Sequence, residues 1–140
     1  MTIFGRRAKI SRNHWAFMGR VVNILLVEDS YDDAFLFSRC TPEAVKVLHV
    51  ISAGKAVEYL EREPLPDLIV MDLVLPGMSV NEFLGWFRAN QNVRKIPIVL
   101  YTGRSRIPAD LAGAVFGTFF KSVALEELRA NVSEMLTLVA

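Results

Sequence analysis

Two unbroken apolar runs, Ile24-Leu25-Leu26-Val27 and Leu68-Ile69-Val70-Met71, each stop on carboxylates: Glu28-Asp29 after the first, Asp72 after the second. Continuous runs of strand formers, rather than an alternating pattern, mark strands covered on both faces, as in a parallel sheet between helices. Sheets of that kind bind ligands at the carboxyl ends of their strands. Two such strands would bring Glu28, Asp29 and Asp72 to one sheet edge. Carboxylates so close repel unless a cation neutralises them. The pattern therefore predicts a divalent metal site with one carboxylate free to react. Asp72, followed by Leu73-Val74-Leu75-Pro76-Gly77, is the informative position.

The rest of the chain alternates. Strands are expected at 22–27, 45–51, 68–72, 96–101 and 116–120. Helices are expected at about 31–40, 53–63, 80–90 and 124–138, with a weak one at 105–114 broken by Pro108 and Gly113. The Ser/Asp-rich stretch Asp29-Ser30-Tyr31-Asp32-Asp33 has the character of a helix start, and Pro42 ends that helix. Val80, Phe83, Leu84 and Phe87 follow a helical apolar stripe. Leu125, Leu128, Val132, Met135 and Val139 form the expected inner face of the last helix. Five strands alternating with five helices predict an α/β fold, a doubly wound parallel sheet. At 140 residues and 52% hydrophobic, one domain with a full core is expected.

The net charge of +1 hides an asymmetry. Residues 1–22 hold Arg6, Arg7, Lys9, Arg12 and Arg20 and no acid; the remainder has eleven basic against fifteen acidic residues, a charge of −4. A basic arm can contact nucleic acid or acidic lipid, but the plainer expectation for residues 1–21 is a disordered extension or a start-site artefact, with translation beginning at Met18. Partners in nucleic acid or membrane are not expected. The single cysteine, Cys40, precludes an internal disulfide and fits a reducing compartment. No apolar stretch reaches the ~20 residues of a membrane span, and the beginning of the chain lacks the apolar core of a signal peptide. A cytoplasmic location is the expectation. His14 and His49 lack metal-ligand spacing. Cys40 reads as a packing residue, and Trp86, off the apolar stripe, as a partner contact or a side chain packed on its own helix.

Thr102 follows the fourth expected strand and Lys121 the fifth, so Glu28, Asp29, Asp72, Thr102 and Lys121 fall on one sheet edge. With Ile24 through Ser30, Asp72 through Pro76, Pro97 through Gly103 and Lys121, the chain resembles, over residues 22–138, the receiver domain of two-component response regulators. It is also similar, more weakly, to stand-alone receivers of the chemotaxis and phytochrome-partner kinds. The resemblance implies a flavodoxin-like sheet in the order 2-1-3-4-5 in a receiver domain at 22–140. It implies a sensor histidine kinase or histidine phosphotransfer protein as partner and Asp72 as phosphoacceptor, a carboxylate nucleophile. It implies Mg²⁺, with Mn²⁺ as a substitute, held by Glu28, Asp29, Asp72 and the backbone carbonyl of Val74. Lys121 would pair with a phosphoryl oxygen, and the Thr102 hydroxyl would donate to another. Output would be phosphorylation-dependent protein binding or a phosphorelay, with no enzymatic activity beyond self-phosphorylation and self-dephosphorylation and no attached output domain.

Each residue also has a plainer reading. Asp72 can cap the turn after it, Asp29 can be a helix N-cap, Thr102 a turn residue and Lys121 a solvated strand end. The chain also departs from the family. Thr118 stands where an aromatic switch residue is usual, three before the lysine. Ser122 replaces the proline after it, leaving Lys121–Ser122 either trans or strained, with the ammonium shifted. Ser79-Val80 replaces Asp-Gly. Val74 cannot orient a water and Arg104 can cover a phosphoryl group, so slow self-dephosphorylation is expected. Two rivals follow: a pseudo-receiver that binds partners without phosphorylation, and a flavodoxin-like cofactor binder. The second needs a phosphate loop after the first strand, where this chain has Glu28-Asp29-Ser30-Tyr31-Asp32-Asp33.

Overall fold

The computed structural model describes residues 20–104 and 106–139; the basic segment through Gly19, with His14 and Met18, lies outside them. Strands β1 (Val22–Val27), β2 (Val45–Val50), β3 (Leu68–Met71), β4 (Ile98–Thr102) and β5 (Gly117–Phe120) alternate with helices α1 (Tyr31–Arg39), α2 (Ala53–Arg62), α3 (Val80–Ala89), α4 (Ala109–Ala112) and α5 (Leu125–Leu136). The sheet has the order β2-β1-β3-β4-β5, and its pairings are parallel. This is the doubly wound, flavodoxin-like receiver topology.

Because side chains alternate across a strand, each inner strand feeds two cores. Ile24 and Leu26 of β1, Val70 of β3, and Val99 and Tyr101 of β4 pack with Phe37 of α1 and Leu128, Val132 and Met135 of α5. Leu25, Val27, Ile69, Met71, Ile98 and Leu100 point the other way, onto Ala56, Phe83, Leu84 and Phe87 of α2 and α3 and Leu111 of α4. The uninterrupted apolar runs are thus explained: both faces of β1, β3 and β4 are buried.

The expected boundaries hold to within a residue or two, with specific corrections. β4 starts at Ile98; Ile96 is buried in the turn before it. Thr102 is the last residue of β4 rather than the one after it. Helix 4 shrinks to a single turn, Ala109–Ala112, with no side-chain cap. Phe116 precedes β5 and is exposed. On α5, Leu125 is exposed and Leu136 lies inside in its place. Arg20, assigned above to the basic extension, is tied to the body through Asp67 and the Val139 carbonyl. Cys40 is buried against the α1/α5 core. Trp86 is half-buried, its ring 5.8 Å from that of Phe83 on the same helix. No described helix is long and apolar enough to cross a membrane.

Ser79-Val80, where the resemblance leads one to expect Asp-Gly, opens α3. Ser79 is the N-cap of α3: its side chain accepts from Glu82 N, and the Glu82 side chain accepts in return from Ser79 N. This capping box satisfies two otherwise orphaned amides. The loop between β3 and α3 turns at Gly77, whose φ of 74° suits glycine. Ser79→Ala is expected to lower stability by about 1 kcal/mol in chemical denaturation; an unaltered midpoint would show that the cap is redundant.

Candidate functional site

Register brings the strand ends together. Val27 pairs with Met71, and Met71 with Leu100, so β1 and β3 end level while Tyr101 and Thr102 run on past them. The ladder then continues for one residue at each end: Glu28 N donates to Val50 O, Asp72 N to Val27 O, and Lys121 N to Thr102 O at 2.8 Å. These bonds fix where Glu28, Asp72 and Lys121 leave the sheet.

The side chains converge on the Lys121 ammonium. Nζ donates to Asp72 Oδ2 at 3.0 Å and to Asp33 Oδ2 at 2.7 Å, and lies 2.7 Å from Glu28 Oε1. Nζ also lies 5.7 Å from the centre of the Tyr101 ring. Glu28, Asp72 and Thr102 are buried, and Asp29 is exposed. Asp72 Oδ1 accepts from Val74 N at 3.2 Å, so Asp72 caps its turn with one oxygen and meets Lys121 with the other. Thr102 Oγ1 accepts from Arg104 N at 3.2 Å. The N-cap of α1 is Ser30, which accepts from Asp33 N; Asp29 is therefore not the cap and its carboxylate is free for another purpose.

Charge at this edge is strongly unbalanced, with Glu28, Asp29, Asp33 and Asp72 around one ammonium. Burial pushes the Glu28 carboxyl up to about 7, against hydrogen bonds from Lys121 and Ser30 that lower it. Burial alone would lower the Lys121 pKa, but Asp33, Glu28 and Asp72 outweigh it and hold the ammonium above the ordinary lysine range. Burial also pushes the Tyr101 phenol up to about 12.

Glu28, Asp29 and Asp72 each present an oxygen, all within 4.8 Å of one another. Among the described residues the one close partner of the buried Glu28 Oε1 is the Lys121 ammonium, 2.7 Å away. Three hard carboxylate oxygens this close, two of them on buried residues, are a donor set that fits a small divalent cation. Val74 sits beside this group at the mouth of the site, half exposed.

The features doubted in the sequence resolve individually. No described peptide bond is cis, so Lys121–Ser122 is trans, and the ammonium still reaches Asp72. Ser122 Oγ accepts from Ala124 N at 3.0 Å and donates to Glu127, securing the entry to α5. Thr118 is half-buried opposite Leu100, and Phe119 packs toward the α1/α5 core, so no aromatic ring occupies the usual position. Tyr101, from β4, is the ring beside Lys121. His49 lies on edge strand β2, where Nε2 contacts the Glu28 carbonyl and the ring meets Tyr31 edge-on.

Asp33 was missed. Its signal is helical phase: Asp33, Phe37 and Cys40 stand at i, i+4 and i+7, so the buried face of α1, traced back one turn, ends on Asp33 and not on Asp32.

Residues 24–133 match the model of the response regulator receiver domain. The chain belongs to that family. Receiver domains are signalling modules that receive phosphoryl groups from histidine kinases or phosphotransfer proteins and bind a divalent metal at an acidic pocket. The receiver is 36% identical to response regulator Rcp1 of Synechocystis over 93 residues, which cover 56% of this chain and 60% of that one. It is 30% identical over 112 residues to a probable cyclic di-GMP phosphodiesterase of Vibrio cholerae, covering 78% of this chain and a quarter (25%) of that protein. The chain thus covers less than two thirds of the length of these relatives. Among solved structures, Mn²⁺-bound Rcp1 superposes with a TM-score of 0.68 at 28% identity, covering 81% of this chain and 90% of that one. The phosphorylated cyanobacterial phytochrome response regulator RcpA superposes at 0.69 and 26%, with the same coverage.

The raised Glu28 pKa has a signed consequence. Between pH 4.5, its ordinary value, and about 7 the folded carboxyl keeps a proton that the unfolded chain has released. The contribution of Glu28 to the stability of the metal-free protein therefore falls as pH rises through that window. Thermal melts in chelator should show this decline, and Glu28→Gln should flatten it; parallel profiles for both proteins would refute the assignment.

Proposed function

We propose that this receiver accepts a phosphoryl group on Asp72 from a histidine kinase or histidine phosphotransfer protein, in an Mg²⁺-dependent reaction, and signals by phosphorylation-dependent protein binding or phosphorelay. The observation that carries the proposal is the placement of the buried Asp72 carboxylate 3.0 Å from the Lys121 ammonium and within one acidic trio with Glu28 and Asp29.

In the transfer, an Asp72 oxygen forms a bond to phosphorus while the P–N bond of the donor phosphohistidine breaks and its ring leaves. Asp72 is already held on its other side by Val74 N–H, so its carboxylate is oriented before the donor arrives. Glu28, Asp29 and Asp72 would hold Mg²⁺, with the Val74 carbonyl as a further oxygen. When bound, the ion supplies neutralisation of the acids and of charge on the transferred group. Lys121 moves one hydrogen bond from Asp72 to a phosphoryl oxygen. Thr102, at the end of β4, turns its hydroxyl from Arg104 N toward another. Phosphorylation adds about −1.5 to −2 charges at this edge, which draws the Thr102–Arg104 segment inward and alters the adjoining surface.

The pseudo-receiver reading draws on two observations, Thr118 in the switch position and Ser122 after Lys121. A single experiment separates the readings. Purified protein treated with acetyl phosphate and Mg²⁺ should gain one phosphoryl mass, absent in chelator and in Asp72→Asn. Failure to gain it from both acetyl phosphate and a panel of histidine kinases would favour the pseudo-receiver. The phosphorylated form should be long-lived, because neither half-exposed Val74 nor exposed Arg104 orients an attacking water. Val74→Asn should shorten its half-life several-fold in a phosphate-release assay; an unchanged half-life would remove Val74 from the account.

A further inference from the structure

We infer that Asp33 is a positioning residue for Lys121: it keeps the ammonium beside Asp72 when a divalent cation takes over Glu28 and Asp72. The inference rests on the phosphoacceptor reading above and deepens it.

Lys121 touches carboxylates of two kinds. Glu28 and Asp72 belong to the trio whose oxygens converge within 4.8 Å, and Asp33 does not. In the arrangement described, the ammonium is itself the counter-cation of the trio. A dication held by Glu28, Asp29 and Asp72 claims the same oxygens and repels the ammonium. A lysine on a flexible stem would then either compete with the ion or swing into solvent. Asp33 prevents both outcomes. Its contact, 2.7 Å, is as short as that to Glu28 and shorter than that to Asp72. It also sits on the rim: its side chain is 37% exposed, against 1% for Glu28 and 8% for Asp72. The ammonium can therefore lean outward onto Asp33 without leaving Asp72.

The rim carboxylate is fixed to the buried one. Asp33 N donates to Ser30 Oγ at 3.2 Å, and Ser30 N donates to Glu28 Oε2 at 3.0 Å. Glu28, Ser30, Asp33 and Lys121 close a ring of contacts, so the position of Asp33 is set by the first turn of α1. A general preference for acids at a helix N-terminus would be met by Asp32, which is exposed. That preference does not select the residue in phase with Phe37.

The test is a double-mutant cycle on the full chain. Mn²⁺ affinity is measured by electron paramagnetic resonance for the wild type, Asp33→Asn, Lys121→Met and the double variant. Asp33→Asn should weaken Mn²⁺ binding by about fivefold or more when Lys121 is present, and by less than about twofold when Lys121 is replaced. Equal losses in both backgrounds would make Asp33 a nearby charge only, and no loss in either would remove it from the site; both overturn the inference. At saturating Mg²⁺, Asp33→Asn should slow labelling by acetyl phosphate and Asp33→Glu should restore part of the rate; unchanged labelling in Asp33→Asn also overturns it. If the wild type takes no phosphoryl group at all, the phosphoacceptor reading fails, while the Mn²⁺ cycle still decides whether Asp33 governs Lys121.

Discussion

One ammonium group holds this sheet edge together. Lys121 joins the ends of β1, β3 and β5 and the first turn of α1 through three carboxylates, and without it the buried Glu28 and Asp72 would face one another uncompensated. Removing one partner of a buried ion pair costs far more than the pair contributes. The cluster is therefore a weak source of stability and a strong constraint on geometry. The strands are secured by their two apolar cores, and the charges settle how the strand ends are arranged.

The same interaction explains why the edge is suited to a signal. Its charge exceeds what a single cation can balance, so the site has a standing affinity for further positive charge. Once neutralised, it can accept a group that is itself negative. Burial pushes Glu28 up to about 7, and the Lys121 ammonium 2.7 Å away works against that shift by favouring the ionised form. Asp72 and Thr102 stand at the ends of the paired strands β3 and β4.

Much of this could be read from the chain alone, for reasons that differ by residue. Unbroken apolar runs at 24–27 and 68–71 announced strands buried on both faces, and the acids closing them located the site. Thr102 and Lys121 were legible because strand ends in a parallel sheet lie on one edge. Asp33 was not read out, because it falls inside a helix start, where acids are common for reasons of capping and dipole; only the phase of α1 relative to Phe37 singles it out. Ser79 and Glu82 carry the spacing of a capping box, a signal present in the sequence itself. Leu125 matched the helical stripe and yet is exposed, standing at the first position of α5, and the stripe closes instead on Leu136.

β5 is a four-residue edge strand in which none of the residues is buried, and it is flanked by a helix of one turn. Segments with few buried contacts open first, and they can open without the rest of the molecule. The counter-cation of the acidic edge thus rides on the least secured strand of the sheet. Fraying of β5 would withdraw the ammonium while β1 and β3 stay intact. The electrostatic balance of the pocket is in this way coupled to local breathing at the far side of the sheet.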